Sequence, residues 1–377
     1  MPFFHVGRDN LFENSLNLLK KIEEHGFEAY IVGGFARDRY IGRDSTDVDI
    51  CTNATPKELK KIFKDSMLPK EQYGSVTVIY KKIRFEITTF RRDIKYENNR
   101  LPIEIKYINE LKDDLKRRDF TMNTLCINSN GEYIDLLNAR IDIDNKVIKA
   151  VGNAELKLKE DSLRILRAVR FATILDFNLD VNLKNSIVLN APLLKKLSYY
   201  RKKEELDKIF SSINVEKGIK LLLDLGLDEY LEIPKLKDII ITSSSLGIWA
   251  QLDVLDKYSF SKLEQDSIKL TQSLINKKDF DLYELYNYGL YIPLMIAEIN
   301  GLDKNELTKK YMELPIKNKR EIVLDGNEIA KILNIKPSRQ IKIIIEDLEK
   351  KIIYGEIENN KNILCEYIVK NYSSIVE

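Results

Sequence analysis

The chain has 377 residues, 44% hydrophobic and 32% charged, with 61 basic side chains against 59 acidic ones and a net charge of +2. That composition describes a globular chain long enough for two to four compact units, and excludes a disordered or collagen-like one. Three dispersed cysteines without a CxxC pair and only two histidines exclude a zinc cluster and a histidine-rich hydrolase site, and the longest charge-free stretch, Ile239 to Leu252, is too short to span a bilayer.

Reduced thiols and the absence of an apolar core in MPFFHVGRDN give an expected cytoplasmic location with no membrane partner. No protein partner is expected. The even charge balance means that any RNA-binding surface is local. Arg91-Arg92, Lys116-Arg117-Arg118 and Arg201-Lys202-Lys203 are the candidate clusters, although each also reads as a solvated face.

In chain order, a first helix is expected over Leu11 to His25, closed by Gly26. Short runs rich in β-branched and aromatic residues then predict strands at Ala29–Val32, Val48–Cys51, Ser75–Tyr80, Arg84–Phe90, Thr124–Asn128 and Tyr133–Asp135. A mixed sheet with flanking helices fits this order. From about residue 155 the pattern is helical. Leu163, Leu166, Val169 and Ala172 recur at helical spacing, as do Leu206, Ile209 and Phe210. Asp281 to Ile299 predicts a buried helix pair, Asp325-Gly326-Asn327 a turn capping a helix from Glu328, and Pro337 the start of a helix running to about Tyr354. The expected units are an α/β head over 1–150, then all-α segments over 151–210, 211–322 and 323–377.

The chemistry concentrates in the head. Val32-Gly33-Gly34-Phe35-Ala36-Arg37-Asp38 reads as a strand, a glycine turn and a helix. Such a turn lets backbone N–H groups approach a triphosphate, with Arg37 in reach of a phosphate oxygen, but an ordinary strand-to-helix turn has the same form. Asp47 and Asp49, at i and i+2 of a strand, share a face while Val48 and Ile50 face the core. Paired carboxylates repel unless a cation lies between them, and their hard oxygens suit Mg2+. A solvated strand end remains the alternative for an isolated pair; the glycine turn upstream favours the metal. Glu86, alternating with Phe85 and Ile87, is the candidate third carboxylate or an exposed edge residue.

The stretches GGFARDRYIGRDSTDVDICTNATP (33–56), FEITTFRRD (85–93), DLKRRDFTMNTL (114–125), KAVGN (149–153), EDSLRILRAVRFA (160–172) and SYYRKKEEL (198–206) follow one another in a fixed order. In this the chain resembles the bacterial tRNA nucleotidyltransferases (CCA-adding enzymes) of the second class in the polymerase-β superfamily, and the related bacterial poly(A) polymerases. The resemblance implies a nucleotidyltransferase head followed by helical neck, body and tail, and template-independent addition of CCA to tRNA from CTP and ATP. It implies two Mg2+ ions on Asp47 and Asp49 and catalysis by these, beside which Glu86 stands as the candidate third catalytic carboxylate from its own place in the strand. Gly33, Gly34, Arg37, Arg118 and Asp119 would meet nucleotide. A helix from Glu160 to Ala172 would select the base through Asp161 and Arg164, whose acceptors and donors suit a Watson–Crick edge, with Arg167 and Arg170 continuing the row. On its own that segment reads as an amphipathic helix with internal salt bridges.

Two departures from the family pattern stand out: Asn138-Ala139-Arg140 replaces a glycine-rich turn, and Lys157-Leu158-Lys159 stands where an arginine is common. The segment Lys70 to Val78 resembles the CCA-adding version rather than the poly(A) polymerase one. Tyr96, Arg100 and Pro102 lie in a full-length loop after Phe90, which an enzyme adding only two cytidines would lack. An enzyme adding only the terminal adenosine shares nearly all these motifs. The alternative outside catalysis is an RNA-binding protein with an inactive transferase head. The tail from Leu324 to Asn371 would meet tRNA by shape and phosphate, with Lys342, Lys350, Lys351 and Lys361 as candidate contacts.

Overall fold

The computed structural model describes residues 8–64, 74–97, 101–336 and 338–373. The chain divides into two compact units, one ending at Leu236 and one beginning at Lys237.

The first unit opens with helix α1 (Arg8–Glu23) and strand β1 (Ala29–Val32), followed by α2 (Gly34–Tyr40), β2 (Asp49–Thr52), α3 (Pro56–Phe63), β3 (Ser75–Tyr80) and β4 (Ile83–Thr89). After these come β5 (Arg91–Glu97), β6 (Leu101–Tyr107), α4 (Leu111–Lys116), β7 (Cys126–Ile127) and β8 (Tyr133–Ile134). The main sheet has the order β3-β4-β2-β1-β7-β8, and its one parallel pair is β2 with β4. Its strands are Val, Ile and aromatic runs that suit a pleated surface. Ile31, Val32, Ile50, Cys51, Phe85 and Ile87 are all buried, each large side chain contributing about 1.5–3 kcal/mol of apolar transfer. Helix α3 starts with a reciprocal capping box between Thr55 and Glu58 around Pro56.

The mixed sheet agrees with the sequence reading, with small shifts. β2 begins at Asp49 rather than Val48, and the strand expected over Thr124–Asn128 narrows to Cys126–Ile127 because Thr121–Asn123 forms a 3-10 turn. The expected loop after Phe90 is instead largely the antiparallel hairpin β5–β6. Arg100, and residues 70–73 of the segment compared with poly(A) polymerases, lie outside the described residues, as does Pro337.

The first unit continues through α5 (Ala139–Asp144), β9 (Val147–Ile148), α6 (Ala154–Glu160), α7 (Leu163–Leu175), β10 (Asn178–Leu179), α8 (Val181–Asn190), α9 (Tyr199–Phe210), α10 (Val215–Asp224) and α11 (Leu227–Leu231). Asn138 takes the left-handed conformation, φ 59°, which asparagine adopts more readily than most residues that carry a side chain. The helix expected over Glu160–Ala172 is two helices. The chain turns extended at Asp161, whose Oδ1 accepts from the Leu163 N–H at 3.0 Å. Gly218 lets α10 lie close against two side chains: a Cβ there would sit 2.5 Å from Ile209 Cγ2 and 2.8 Å from Thr173 Oγ1.

The second unit is helical: α12 (Ser245–Leu252), α13 (Lys262–Leu274), α14 (Leu282–Tyr288), α15 (Tyr291–Asn300), α16 (Lys304–Met312), α17 (Gly326–Ile332), α18 (Arg339–Ile353) and α19 (Lys361–Tyr372). The expected helix pair is α14 and α15, and Asp325 caps α17 in a box with Glu328. Phe280, Leu285, Ile296, Ile329, Leu348, Leu364 and Ile368 form its apolar core. Among the described residues no helix is long and apolar enough to cross a membrane.

Candidate active site

The chain leaves β1 through Gly33 at φ 83° and ψ −136°, a backbone that a side chain would strain. Space matters as well. A Cβ on Gly33 would lie 3.7 Å from Asp49 Oδ2 and 3.8 Å from Arg118 Nη1, and one on Gly34 3.7 Å from Arg37 Nη2. The glycine turn is thus bounded by one carboxylate and two guanidinium groups.

The sheet register brings the acids to this turn. Val32 pairs with Asp49 across β1–β2, and Asp49 pairs with Glu86 across the parallel β2–β4 step. Asp47 and Asp49 are exposed while Val48 and Ile50 between and after them are buried, as the two-residue period requires. Partial burial, then the Asp47 charge, pushes the Asp49 pKa up to about 6; Glu86 adds to the rise, and Arg118 and Arg167 oppose it. Asp49 keeps solvent-accessible surface, so the lost hydration comes from protein crowding one side of an otherwise open carboxylate. Among the described residues no three or more His, Cys, Asp or Glu side chains group closely enough to hold a metal ion. Glu86 is therefore in register beside Asp49 without completing a three-carboxylate group. Two repelling, water-accessible carboxylates remain a donor set that suits a hard divalent cation whose other ligands come from substrate and water.

Behind this face lies a buried charge network. Asp114 accepts from Arg117 Nε at 2.8 Å, Arg118 Nη2 at 3.3 Å and the Arg91 N–H at 3.1 Å. Burial alone would raise its pKa, but the Arg117 and Arg118 charges outweigh that and lower it. Arg118 Nε is buried without a partner. Arg37 donates through Nε and Nη2 to Asp38 Oδ1, at 2.9 and 2.8 Å, and through Nη1 to Asn123 Oδ1. Asn123 Nδ2 in turn donates to Asp119 Oδ1 at 3.1 Å.

The predicted base-selecting residues separate into two groups. Asp161 lies half-buried in the α6–α7 link, and burial raises its pKa despite Arg164. Arg164 is buried, donating to the Lys157 carbonyl at 2.9 Å, to Glu160 at 3.0 Å and to the Arg117 carbonyl at 3.1 Å. Arg167 and Arg170 do not stand free on an open helix face. Arg167 donates from Nε and Nη2 to Asp119 Oδ2 at 2.8 and 2.6 Å, and its charge overrides the burial that would otherwise raise the Asp119 pKa. Arg170 pairs with Glu205 of α9 at 3.0 Å, and burial brings its pKa down to about 10. Sequence reasoning missed Asp114 and Asn123, and placed Glu205 in the SYYRKKEEL motif without its partner Arg170. The first two lie inside DLKRRDFTMNTL, and polar residues so close to a paired arginine were the available signal. A cavity of about 430 Å³ lined by Lys149, Asn153, Asp180 and Asn185 contains none of these residues.

Comparison with known proteins places these features. The Poly A polymerase head domain family matches residues 29–149, the family described as an RNA and SrmB-binding site of polymerase A matches 176–239, and tRNA nucleotidyltransferase domain 2 matches 250–368. The CCA-adding enzyme of Ligilactobacillus salivarius is 35% identical, over 94% of this chain and 95% of its own. That of Lactobacillus delbrueckii subsp. bulgaricus is 36% identical, over 95% and 98%. The crystal structure of the Bacillus stearothermophilus CCA-adding enzyme in complex with CTP superposes with a TM-score of 0.81 at 28% identity, covering 97% of this chain and 98% of that one. The Thermotoga maritima CCA-adding enzyme complexed with tRNA shares the fold, with a TM-score of 0.66 at 20% identity and coverage of 97% and 96%. With full-length relatives above 30% identity and the glycine turn and aspartate pair in place, the chain belongs to the CCA-adding enzyme family.

Proposed function

We propose that this chain completes the 3′ end of tRNA with C, C and A, using CTP and ATP as substrates and no nucleic-acid template. The observation that carries the reading is Asp49 facing the Gly33 turn with the Asp47 charge acting on it, in a chain whose full-length relatives are named CCA-adding enzymes. The 3′-oxygen of tRNA bonds to the α-phosphorus while the bond to the bridging oxygen breaks, releasing pyrophosphate. Asp47 and Asp49 are the residues that would hold magnesium, expected as two ions, and Glu86 adds negative charge beside them. When bound, the metal supplies Lewis acidity to the attacking hydroxyl and charge neutralisation to the leaving group.

The chain's own groups orient the nucleotide. Gly33 and Gly34 admit the triphosphate close to the backbone, and Arg37 and Arg118 bring positive charge beneath it. Asp161 and Arg164 are the base-reading pair. Arg164 now spends donors on two carbonyls and Glu160, so reading a base requires it to exchange at least one of them. Asp119 holds Arg167, and Glu205 holds Arg170, so these two arginines fix α7 and meet nucleotide only from that frame. Residues 1–150 serve as the head, 151–210 as the neck, and 211–322 and 323–377 as body and tail for the tRNA.

The test supplies tRNAs ending before the CCA, after its first C, or after both, with CTP and ATP singly and together. Complete CCA repair is the expected outcome. Long adenosine tails, arrest after two cytidines, or addition of adenosine alone would each replace the proposal with a different transferase.

A further inference from the structure

The two ends of the nucleotide site are joined by a single buried side chain. Asn123, 6% exposed in the 3-10 turn after α4, accepts from Arg37 Nη1 with its oxygen and donates to Asp119 Oδ1 with its nitrogen. Asp119 Oδ1 also accepts the Phe120 N–H at 2.8 Å, and its Oδ2 takes both donors of Arg167. The chain of bonds therefore runs Arg37, Asn123, Asp119, Arg167, from the helix after the glycine turn to the helix after Asp161. A shared ring reinforces it: Arg37, Arg167 and Arg170 stand 5.1, 5.4 and 4.3 Å from the centre of Phe171.

A carboxamide suits this place. It accepts from a cation at one end and donates to an anion at the other, which a carboxylate, a cation or an alkyl group cannot do. Each neighbour is buried, so leaving either bond unmade leaves one of its polar atoms short of a partner even though Arg37 keeps Asp38 and Asp119 keeps Arg167. If a triphosphate draws Arg37 toward itself, Asn123 must either release it or follow. Following shifts Asp119, and with it Arg167 on α7.

We infer that Asn123 is a positioning residue that couples occupancy of the triphosphate end to the placement of the base-selecting helix, and so contributes to discrimination among ribonucleoside triphosphates. The inference rests on the reading above, in which Arg37 meets the triphosphate and α7 frames the base. It makes Asn123 a specificity determinant that contacts no substrate atom.

The test compares the full chain with Asn123→Asp and Asn123→Ser. The aspartate keeps the acceptor for Arg37 but opposes Asp119; the serine is too short to span both partners. On tRNA ending after its first C, kcat/KM is measured for CTP and for UTP, with circular dichroism melting as the check on folding. CTP-over-UTP discrimination is expected to fall about tenfold or more in both variants, the effect of one charge-assisted hydrogen bond. A cooperatively melting variant that keeps discrimination within about twofold of the parent overturns the inference, as does an equal loss for both nucleotides. If Asn123→Asp does not fold, Asn123→Ser alone decides on the same criteria. Failure of the unaltered chain to extend the tRNA with CTP would instead overturn the functional reading on which the inference stands.

Discussion

The interiors of the two units differ in kind. The first buries Arg37, Asp114, Asp119, Arg164, Arg170, Lys202, Lys203 and Glu205 among its apolar side chains. In the second, among the described residues, Glu349 is the one buried charged side chain, bonded to Tyr286 at 3.0 Å and 3.5 Å from Lys319. The second unit is packed almost wholly by apolar side chains. Buried charge costs hydration and is retained where opposite groups must be fixed at set places. The polar interior belongs to the unit that holds the glycine turn and the aspartate pair.

The sharpest way to break this contrast is at its open edge. Asp49→Ala is expected to lower nucleotide incorporation on the order of a thousandfold or more, with tRNA binding by filter retention little changed; equal activity would remove the metal assignment. Inside the first unit, Glu205→Ala leaves the Arg170 charge buried and unpaired, and should cost roughly 3–5 kcal/mol. Inside the second, Leu348→Ala should cost roughly 2–5 kcal/mol by cavity formation alone. The two can be told apart because Trp249, the single tryptophan, is buried in the second unit against Tyr258 and Phe260. Leu348→Ala should move the fluorescence midpoint in urea, whereas Glu205→Ala should move the circular dichroism midpoint more than the fluorescence one. A single transition shifting equally in both variants would contradict this.

A gentler probe is pH. The Asp49 pKa is raised from 3.8 to about 6, so in the metal-free protein the folded state binds the extra proton between those values. Its contribution to stability is therefore greatest at the acid end and falls as pH rises through that window. Activity should run the other way, declining below about pH 6 as the carboxylate protonates. Because proton and cation compete for one group, more Mg2+ should move that acidic limb downward; a limb insensitive to Mg2+ would assign it to another residue. The smallest effect belongs to the surface: Asp325→Ala removes the cap of α17 and should cost about 1 kcal/mol in urea denaturation.

Much of this was legible in the chain itself. Ala29–Val32 and Ser75–Tyr80 are strands at the bounds read from their β-branched residues, and the alternation around Asp47 and Asp49 holds where Val48 and Ile50 are buried. The break at Asp161 was not read, although no apolar residue stands between Leu158 and Leu163; the Asp161 carboxylate that bonds the Leu163 N–H marks it. The hairpin β5–β6 was missed because Arg91-Arg92-Asp93-Ile94-Lys95 has no apolar face; its strands pair with one another rather than on the core. Beside its neighbour Asp38, Arg37 has a partner 86 residues away, and those of Arg167 and Arg170 lie 48 and 35 residues away; no local pattern encodes a pairing at such range.

The strand order has a consequence for synthesis. β1 lies between β2, which follows almost at once, and β7, which leaves the ribosome only at Cys126. Until then the side of Ile31 and Val32 that β7 later pairs offers unpaired N–H and C=O groups on an apolar strand, the kind of template on which nascent chains adhere to one another. A fragment released before residue 120 should clump, and one released after residue 135 should not. The strand that leads into the glycine turn is thus also one that waits for its second neighbour while the protein is being made.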